Sequence, residues 1–416
     1  MQRASHFLWK ERFLSAWARF VQLLCSEKKL VCARCSVNER RDMLVMLLVT
    51  LADPRDGQVL FAKQDLVFGI VAFDPVTGCS GKCKPEAYRV GVRQWVNSVR
   101  RSTQRDRTEV ALFTGKGPGN LARDTVLARV LRRSSVRVLE SDFDDSNERV
   151  AHREPSRHVH CVMRNRWFVI RDHLMLHAHR YRFVLMTDVR DVLLQGDPFK
   201  WRPDEHQRAG SERFDLTRTV VLSGEGSGAV RTLRQSKKGW QRTLHCAGDA
   251  TTDKDREALL DTDPLNAGVT LAGAEAFQNF SSALATLIAR VTTVECLAVK
   301  DCTDQGLYNL LAYLEWPRLL PHTRRLYLPA ERALSYTLGH KKRCPAVDNE
   351  GRLRNDPGEL PPVIHQFVKG AVGKALRKSA AFQRRLEALN TDLVDTSRMR
   401  RQSRRSEQGF RHSKTP

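Results

Sequence analysis

The sequence predicts an α/β fold: a mostly parallel sheet with helices on both faces, built as a single large domain. Three observations carry this expectation. Apolar runs of strand length alternate with segments of helical apolar spacing through residues 65–199. One of those runs, Phe183-Val184-Leu185-Met186, ends in two carboxylates, Asp188 and Asp191. Ligands of open α/β sheets bind at the carboxyl ends of strands, so acids placed there are candidates for chemistry. Finally, 416 residues with 41% apolar content suffice for a sizeable core.

Taken in order, residues 1–60 are set apart as a basic targeting segment or degenerate anchor. Phe7 to Leu24 fits an amphipathic helix, and Met43 to Ala52 is an apolar run after Arg40-Arg41. That run is too short to span a bilayer, which takes about 20 apolar residues. It fits a truncated anchor, a signal-type apolar region or a buried strand. The catalytic-type domain is expected over residues 61–373. Asp65 to Pro75 reads as a buried strand, Tyr88 to Arg101 as a helix with Val92, Trp95, Val96 and Val99 inward, and Glu109 to Gly115 as a second strand. Leu121 to Leu131 reads as a helix, Val136 to Glu140 as a strand, and the region of Trp167 to Leu176 as a third helix. The chain then enters Arg180 to Phe199, where two apolar runs flank the acids and Gly196-Asp197-Pro198 stops them. Beyond it come a short strand at Val220 to Leu222 and a Gly-flanked apolar segment at Asn266 to Gly273. An amphipathic helix over Phe277 to Ala298, a helix opening near Asp304, and a short strand ending at His365 complete the domain. Residues 374–416 read as a basic, largely disordered tail.

The net charge of +23 is concentrated at the ends: +8 falls in residues 374–416 and +5 in residues 1–42. That distribution argues against a domain built to bind nucleic acid. A moderately basic middle suits an anionic substrate such as a nucleoside diphosphate. Ten cysteines are too few for a disulfide scaffold of this length. Cys79 with Cys83, and Cys296 with Cys302, are spaced to close short loops in an oxidising compartment, and free thiols are the equal alternative. Cys32 and Cys35 with Cys25 give only half a zinc site. Asn279-Phe280-Ser281 is an N-glycosylation sequon, meaningful only in a secretory lumen.

Asp188 and Asp191 are spaced to share a hard divalent cation, with solvated loop acids as the plain alternative. The surrounding residues add a resemblance. Tyr181-x-x-Val-Leu-Met-Thr-Asp-Val-Arg-Asp-Val-Leu-Leu-Gln-Gly-Asp-Pro-Phe199 resembles the signature of nucleotide-diphospho-sugar glycosyltransferases of the GT-A fold, in the version that reads TDVRDVVFQ-x-DPF. Asn266-Ala-Gly-Val269, Asp304-Gln305 and Val363-Ile-His-Gln366 are similar to further family segments and follow in the family's order. The resemblance covers residues 65–370. It implies a GT-A-like (Rossmann-like) domain that moves a hexosyl or pentosyl group from a UDP- or GDP-sugar to a glycan, protein or lipid acceptor. It also implies Mn2+ or Mg2+ on the donor diphosphate and residence in the Golgi or secretory lumen.

Residue by residue, the resemblance makes Asp191 the metal-binding acid, because it falls where the family's second acid falls. The family's Asp-x-Asp is replaced here by Asp-x-x-Asp, so Asp188 stands one residue early and is the weaker ligand. His365 becomes the third ligand; its imidazole suits Mn2+ better than Mg2+. Ala72 and Phe73 would line the nucleotide pocket, and Arg166 would meet base or phosphate or simply be solvated. Asn266 and Gly268 would form part of the sugar-binding wall or, more plainly, a turn, and Gln305 would help to bind the nucleotide-sugar. Asp304 would serve as catalytic base or, more plainly, as a first-turn acid of its helix. Two rival readings are a non-catalytic polyanion binder working through its basic ends and a degenerate transferase.

Overall fold

A seven-stranded sheet in the order β3-β2-β1-β4-β7-β6-β8 organises the protein. The computed structural model describes residues 63–71, 85–115, 124–141, 155–203, 214–225, 232–235, 252–290, 304–330, 332–339, 341, 344–368 and 370–391. The chain divides into two units, Met1–Phe61 and Ala62–Pro416, and every described residue belongs to the second. The expected strand end at Ala72 and Phe73, the loop-closing cysteine pairs, Cys25, Cys32 and Cys35, and the apolar run Met43 to Ala52 lie outside the described residues. Among the described residues no helix is long and apolar enough to cross a membrane.

The strands are β1 (Gln64–Ile70), β2 (Thr108–Gly115), β3 (Val136–Ser141), β4 (Tyr181–Asp188), β6 (Thr219–Gly224), β7 (Leu265–Gly273) and β8 (Arg324–Leu328). β3, β2, β1 and β4 run parallel, as do β6 and β8, while β7 is antiparallel to both β4 and β6. The sheet is therefore mostly parallel, as expected. β1 has β2 on one side and β4 on the other, which makes the β1/β4 crevice the switch point of the sheet. Because β7 is reversed, its beginning rather than its end lies at the carboxyl edge. Thr187 pairs with Val269, which sets Gly268 beside Asp188.

Side-chain alternation sorts the core into two layers. Leu66, Phe68, Val184, Met186, Val220 and Leu222 face α3 (Pro155–His177), α5 (Ala274–Arg290) and α6 (Asp304–Leu310). Val67, Val110, Leu112, Leu185, Val221 and Leu271 face α1 (Pro85–Ser102) and α2 (Thr125–Arg133). Helices thus cover both faces. Their starts follow local chemistry. Asp124 caps α2 by accepting from the N–H of Val126 and Leu127, so this helix begins at Thr125. Thr252 and Asp255 form a capping box at α4 (Asp253–Leu260). α6 continues through a π-helical stretch, Leu311–Glu315, into Trp316–Leu319. The sequon falls inside α5 with Phe280 and Ser281 fully buried, which is not the surface-loop setting a glycosylated Asn needs.

A second, three-stranded sheet holds β5 (Val192–Leu194), β9 (Ser335–Thr337) and β10 (Val363–His365) in the order β5-β10-β9. The second apolar run of Arg180 to Phe199 therefore does not extend β4. It turns at the acids and pairs antiparallel with β10, Val192 against His365.

One domain boundary moves outward. Residues after 373 were expected to be tail, yet α7 (Gly370–Leu376) and α8 (Ala380–Asn390) belong to the fold. Phe382 and Leu389 are buried with Ile364 and Phe367, and Asn97 Nδ2 donates to the carbonyl of Leu389 at 2.6 Å. The basic surface of α8 hid an apolar stripe at helical spacing.

Candidate metal centre

Asp188 is the last residue of β4, Asp191 lies in the turn to β5, and His365 ends β10. Each offers a ligand atom, and these atoms all lie within 4.8 Å of one another. This is the one such group of His, Cys, Asp and Glu side chains among the described residues. His365 Nε2 is 3.5 Å from Asp188 Oδ2 and 4.0 Å from Asp191 Oδ1. The shift to Asp-x-x-Asp does not remove Asp188 from the cluster: the tight turn after β4 brings both acids to the same histidine.

The site is shaped to hold something between these groups. His365 Nε2 is buried and makes no hydrogen bond, a costly state for an imidazole nitrogen. Its other nitrogen is held from behind, with Asn266 Nδ2 at 2.9 Å and Thr337 Oγ1 at 3.5 Å from Nδ1. Asn266 is itself fixed, since its Oδ1 accepts from the N–H of Gly268 at 2.8 Å. A Cβ on Gly268 would stand 2.7 Å from Asp188 Oδ2 and 2.9 Å from His365 Nε2, so glycine keeps the space open. An orphaned nitrogen, two carboxylates and a cleared wall fit a divalent cation with mixed N and O ligands.

Arg166 was expected to meet base or phosphate or to be solvated. It instead lies fully buried behind the acids. Its Nη1 donates to Asp188 Oδ1 at 2.8 Å, and its Nη2 donates to the carbonyl of Ala267 at 2.9 Å and to Asp304 Oδ2. Burial works against its charge, but the carboxylates of Asp304 and Asp188 more than offset this and raise its pKa. Arg166 is thus a positioning residue that fixes one oxygen of Asp188 and leaves the other toward His365.

Asp304 does open α6, as expected, but only 3% of it is exposed. Its Oδ2 also accepts from Trp167 Nε1 at 3.0 Å. Burial pushes its carboxyl pKa up, against the pull of Arg166 and Trp167. In this arrangement it serves as the counter-ion of Arg166. Trp167 anchors the pair in an aromatic cluster, its ring 5.7 Å from Phe280 and 5.9 Å from Tyr308.

Asn266, expected in a sugar wall, and Gln305, expected to bind the donor, both make structural bonds. Gln305 Oε1 accepts from the N–H of Ala267 at 3.1 Å, and its Nε2 donates to the carbonyl of Leu265. Sequence reading gave Glu225 no role. This buried acid follows β6 and accepts from Gln305 Nε2 at 3.0 Å and from Gln366 Nε2 at 3.1 Å. It ties the end of β6, the start of α6 and the end of β10 together. Tyr88, buried on α1, was also missed. Burial raises its pKa, and Arg190, Asp188 and Asp191 lie close enough to act on it. Its only sequence signal is its position at the start of an amphipathic helix.

No family model matches the sequence, and no curated protein matches it. Among solved structures, the apo form of mouse xyloside xylosyltransferase 1 is similar at 12% identity and a TM-score of 0.35, over 73% of this chain and 96% of that one. An active-site mutant of LgtC aligns at 13% identity and a TM-score of 0.40, over 78% of this chain and 94% of that one. The apo WbbM bifunctional glycosyltransferase aligns at 12% identity and 0.36, over 86% of this chain and 60% of that one. Likeness of this extent is one of outline and assigns no activity. The class that the fold and the site define is a mixed α/β domain with a candidate Asp-Asp-His centre at the switch point of its main sheet.

Proposed function

We propose that the chain is a nucleotide-sugar-dependent glycosyltransferase of GT-A type. Asp188, Asp191 and His365 would hold Mn2+ or Mg2+ against the diphosphate of a UDP- or GDP-sugar. The activity rests on the family-like segments at residues 181–199, 266–269, 304–305 and 363–366. One observation in the fold supports it most: all four segments meet at one place, with the orphaned His365 Nε2 facing both acids. When bound, the cation neutralises charge that develops on the leaving nucleoside diphosphate.

The chain's own residues supply the positioning. Arg166 holds Asp188 by Oδ1, Asn266 and Thr337 fix the His365 ring, and Glu225 locks Gln305 and Gln366. Such preorganisation keeps the ligands from paying reorganisation at each turnover. The sugar moved is a hexosyl or pentosyl group, and the acceptor is a glycan, protein or lipid. The compartment that fits the resemblance is the Golgi or secretory lumen.

A second reading draws on the Arg166–Asp188 bond, which takes up one oxygen of a ligand. On that reading the protein is a degenerate transferase that binds nucleotide without turnover. Thermal unfolding with UDP and GDP, with and without Mn2+, tests the primary reading. Stabilisation by one of them that requires Mn2+ and disappears in Asp191→Ala is the expected result. No stabilisation of the wild type by either would overturn it. Hydrolysis of the matching nucleotide-sugar separates active from degenerate enzyme.

A further inference from the structure

A cavity of about 600 Å³ lies on a different part of the domain and shares no residue with the candidate metal centre. It opens where β5 runs out, away from Asp191. Its walls are the last turn of α1, the Gln195-Gly196 turn, the loop of Asn349 to Arg352, and α8. These walls are bonded to one another. Ser98 Oγ on α1 accepts from the N–H of Leu194 at 3.1 Å. Gln195 Nε2 donates to the carbonyls of Leu353 at 2.7 Å and Pro361 at 2.9 Å. Gly351, at φ +73, lets its loop pass directly against the backbone of Ala381 on α8, where no Cβ fits.

Four arginines line this cavity: Arg101, Arg352, Arg384 and Arg385. Glu350 is the one acid among its lining residues, and Arg352 takes it at 2.9 Å while also binding Asp348 at 2.9 Å. The other three guanidiniums make no ion pair among the described residues, although Asp348 and Glu350 act on Arg385 from beyond contact. Arg101 donates to the carbonyl of Ala388, and Arg385 reaches the carbonyl of Leu194 at 3.5 Å. Arg384 makes no bond within the described residues. Burial, and then the charges of Arg352 and Arg101, outweigh the opposing carboxylates of Asp348 and Glu350 and hold the Arg385 pKa below the usual arginine value.

We propose that this cavity binds a compact polyanion carrying phosphate or sulfate groups, at a site separate from the donor site. Like charges gathered around a partly enclosed space repel one another, and a bound anion removes that repulsion. Planar guanidinium forks match tetrahedral oxyanions in a bidentate manner. A volume of about 600 Å³ falls in the range of small-ligand pockets, roughly 300–1,000 Å³, and is too confined to track a nucleic-acid strand. The same chemistry is offered by a phosphorylated small molecule and by a sulfated sugar.

Calorimetric titration of the full chain in EDTA, with inorganic pyrophosphate in one arm and a sulfated disaccharide in the other, tests the site. One probe is expected to bind with one-to-one stoichiometry. Its affinity should fall at least about tenfold in the Arg384→Gln, Arg385→Gln double variant. Arg384→Glu alone, at an exposed position that folding does not need, should weaken it as well. Asp191→Ala should leave it unchanged, which separates this site from the metal centre. Tighter binding of pyrophosphate identifies a phosphorylated ligand, and tighter binding of the disaccharide a sulfated one. The proposal is overturned if neither probe binds one-to-one, if both arginine variants bind as the wild type does, or if Asp191→Ala abolishes binding.

Discussion

Replacing Gly268 with alanine adds one methyl group at the most confined point of the candidate metal centre. The new Cβ would stand 2.7 Å from Asp188 Oδ2 and 2.9 Å from His365 Nε2, where ordinary contact begins at 3.4 Å. The two ligands must therefore yield by about 0.5–0.7 Å, at or beyond the roughly 0.5 Å tolerance of a preorganised site. Gly268 does not sit in the left-handed region, so backbone strain adds nothing to this cost. Overpacking of this kind costs about 1–3 kcal/mol. If that cost falls on the ligands, the Kd for Mn2+ rises by a factor of about 5 to about 150. Mn2+ titrated calorimetrically into wild type and Gly268→Ala, each with the nucleoside diphosphate that stabilises the wild type, measures the change. Circular dichroism confirms that the variant is folded. Equal Mn2+ affinity in the two folded proteins would refute a cation held between Asp188 and His365.

Two further outcomes follow from buried charge. Arg166→Met leaves Asp304 and Asp188 without their counter-ion and should cost about 3–5 kcal/mol in urea unfolding. Pairing it with Asp304→Asn should restore part of that loss, and a change below about 1 kcal/mol in the single variant would contradict the counter-ion role. His173, buried against Tyr181, has its pKa lowered from 6.5 to about 3, by burial first and then by His177 and neighbouring arginines. Below pH 6.5 the unfolded chain takes up a proton that the native protein refuses, so this residue's contribution is present at neutral pH and is lost as pH falls toward about 3. Between pH 7 and pH 5 the loss is about 2 kcal/mol. His173→Phe should lose correspondingly less over that interval, and an identical acid limb in both proteins would argue against a buried neutral imidazole.

Much of the main sheet was legible because its strands are buried on both faces. Phe183 to Met186 and Val110 to Phe113 read as unbroken apolar runs, and the helices between them show the 3.6-residue period. The positions of Asp188, Asp191 and His365 were legible because each sits beside the end or the start of an apolar run, within a family-like segment. What those residues touch was not. A buried arginine and a solvated one look alike in sequence, so Arg166 read as a ligand contact or a solvated side chain until its partners were visible. The bonds of Asn266 to His365 and of Gln305 to the start of β7 were equally invisible in the sequence. Glu225 gave no signal because its partners come from two distant segments, 80 and 141 residues away. The reversal of β7 was equally hidden, since strand direction depends on how connections close in space. α8 was taken for tail because its arginines outweighed Phe382 and Leu389 in composition.

The small β5-β10-β9 sheet has a consequence for the order of assembly. All seven strands of the main sheet are present once the chain has reached Leu328, and both acids are then in place. His365 arrives only with β10, which docks on β5 across a long span of sequence. Closing so long a loop is entropically demanding and kinetically slow. During synthesis, when N-terminal portions fold first, the larger sheet can form while the centre still lacks its imidazole. Competence at this centre is therefore a late checkpoint, reached only when nearly the whole domain has been made. A chain cut short before Val363 would retain the main sheet's strands and lose the third ligand.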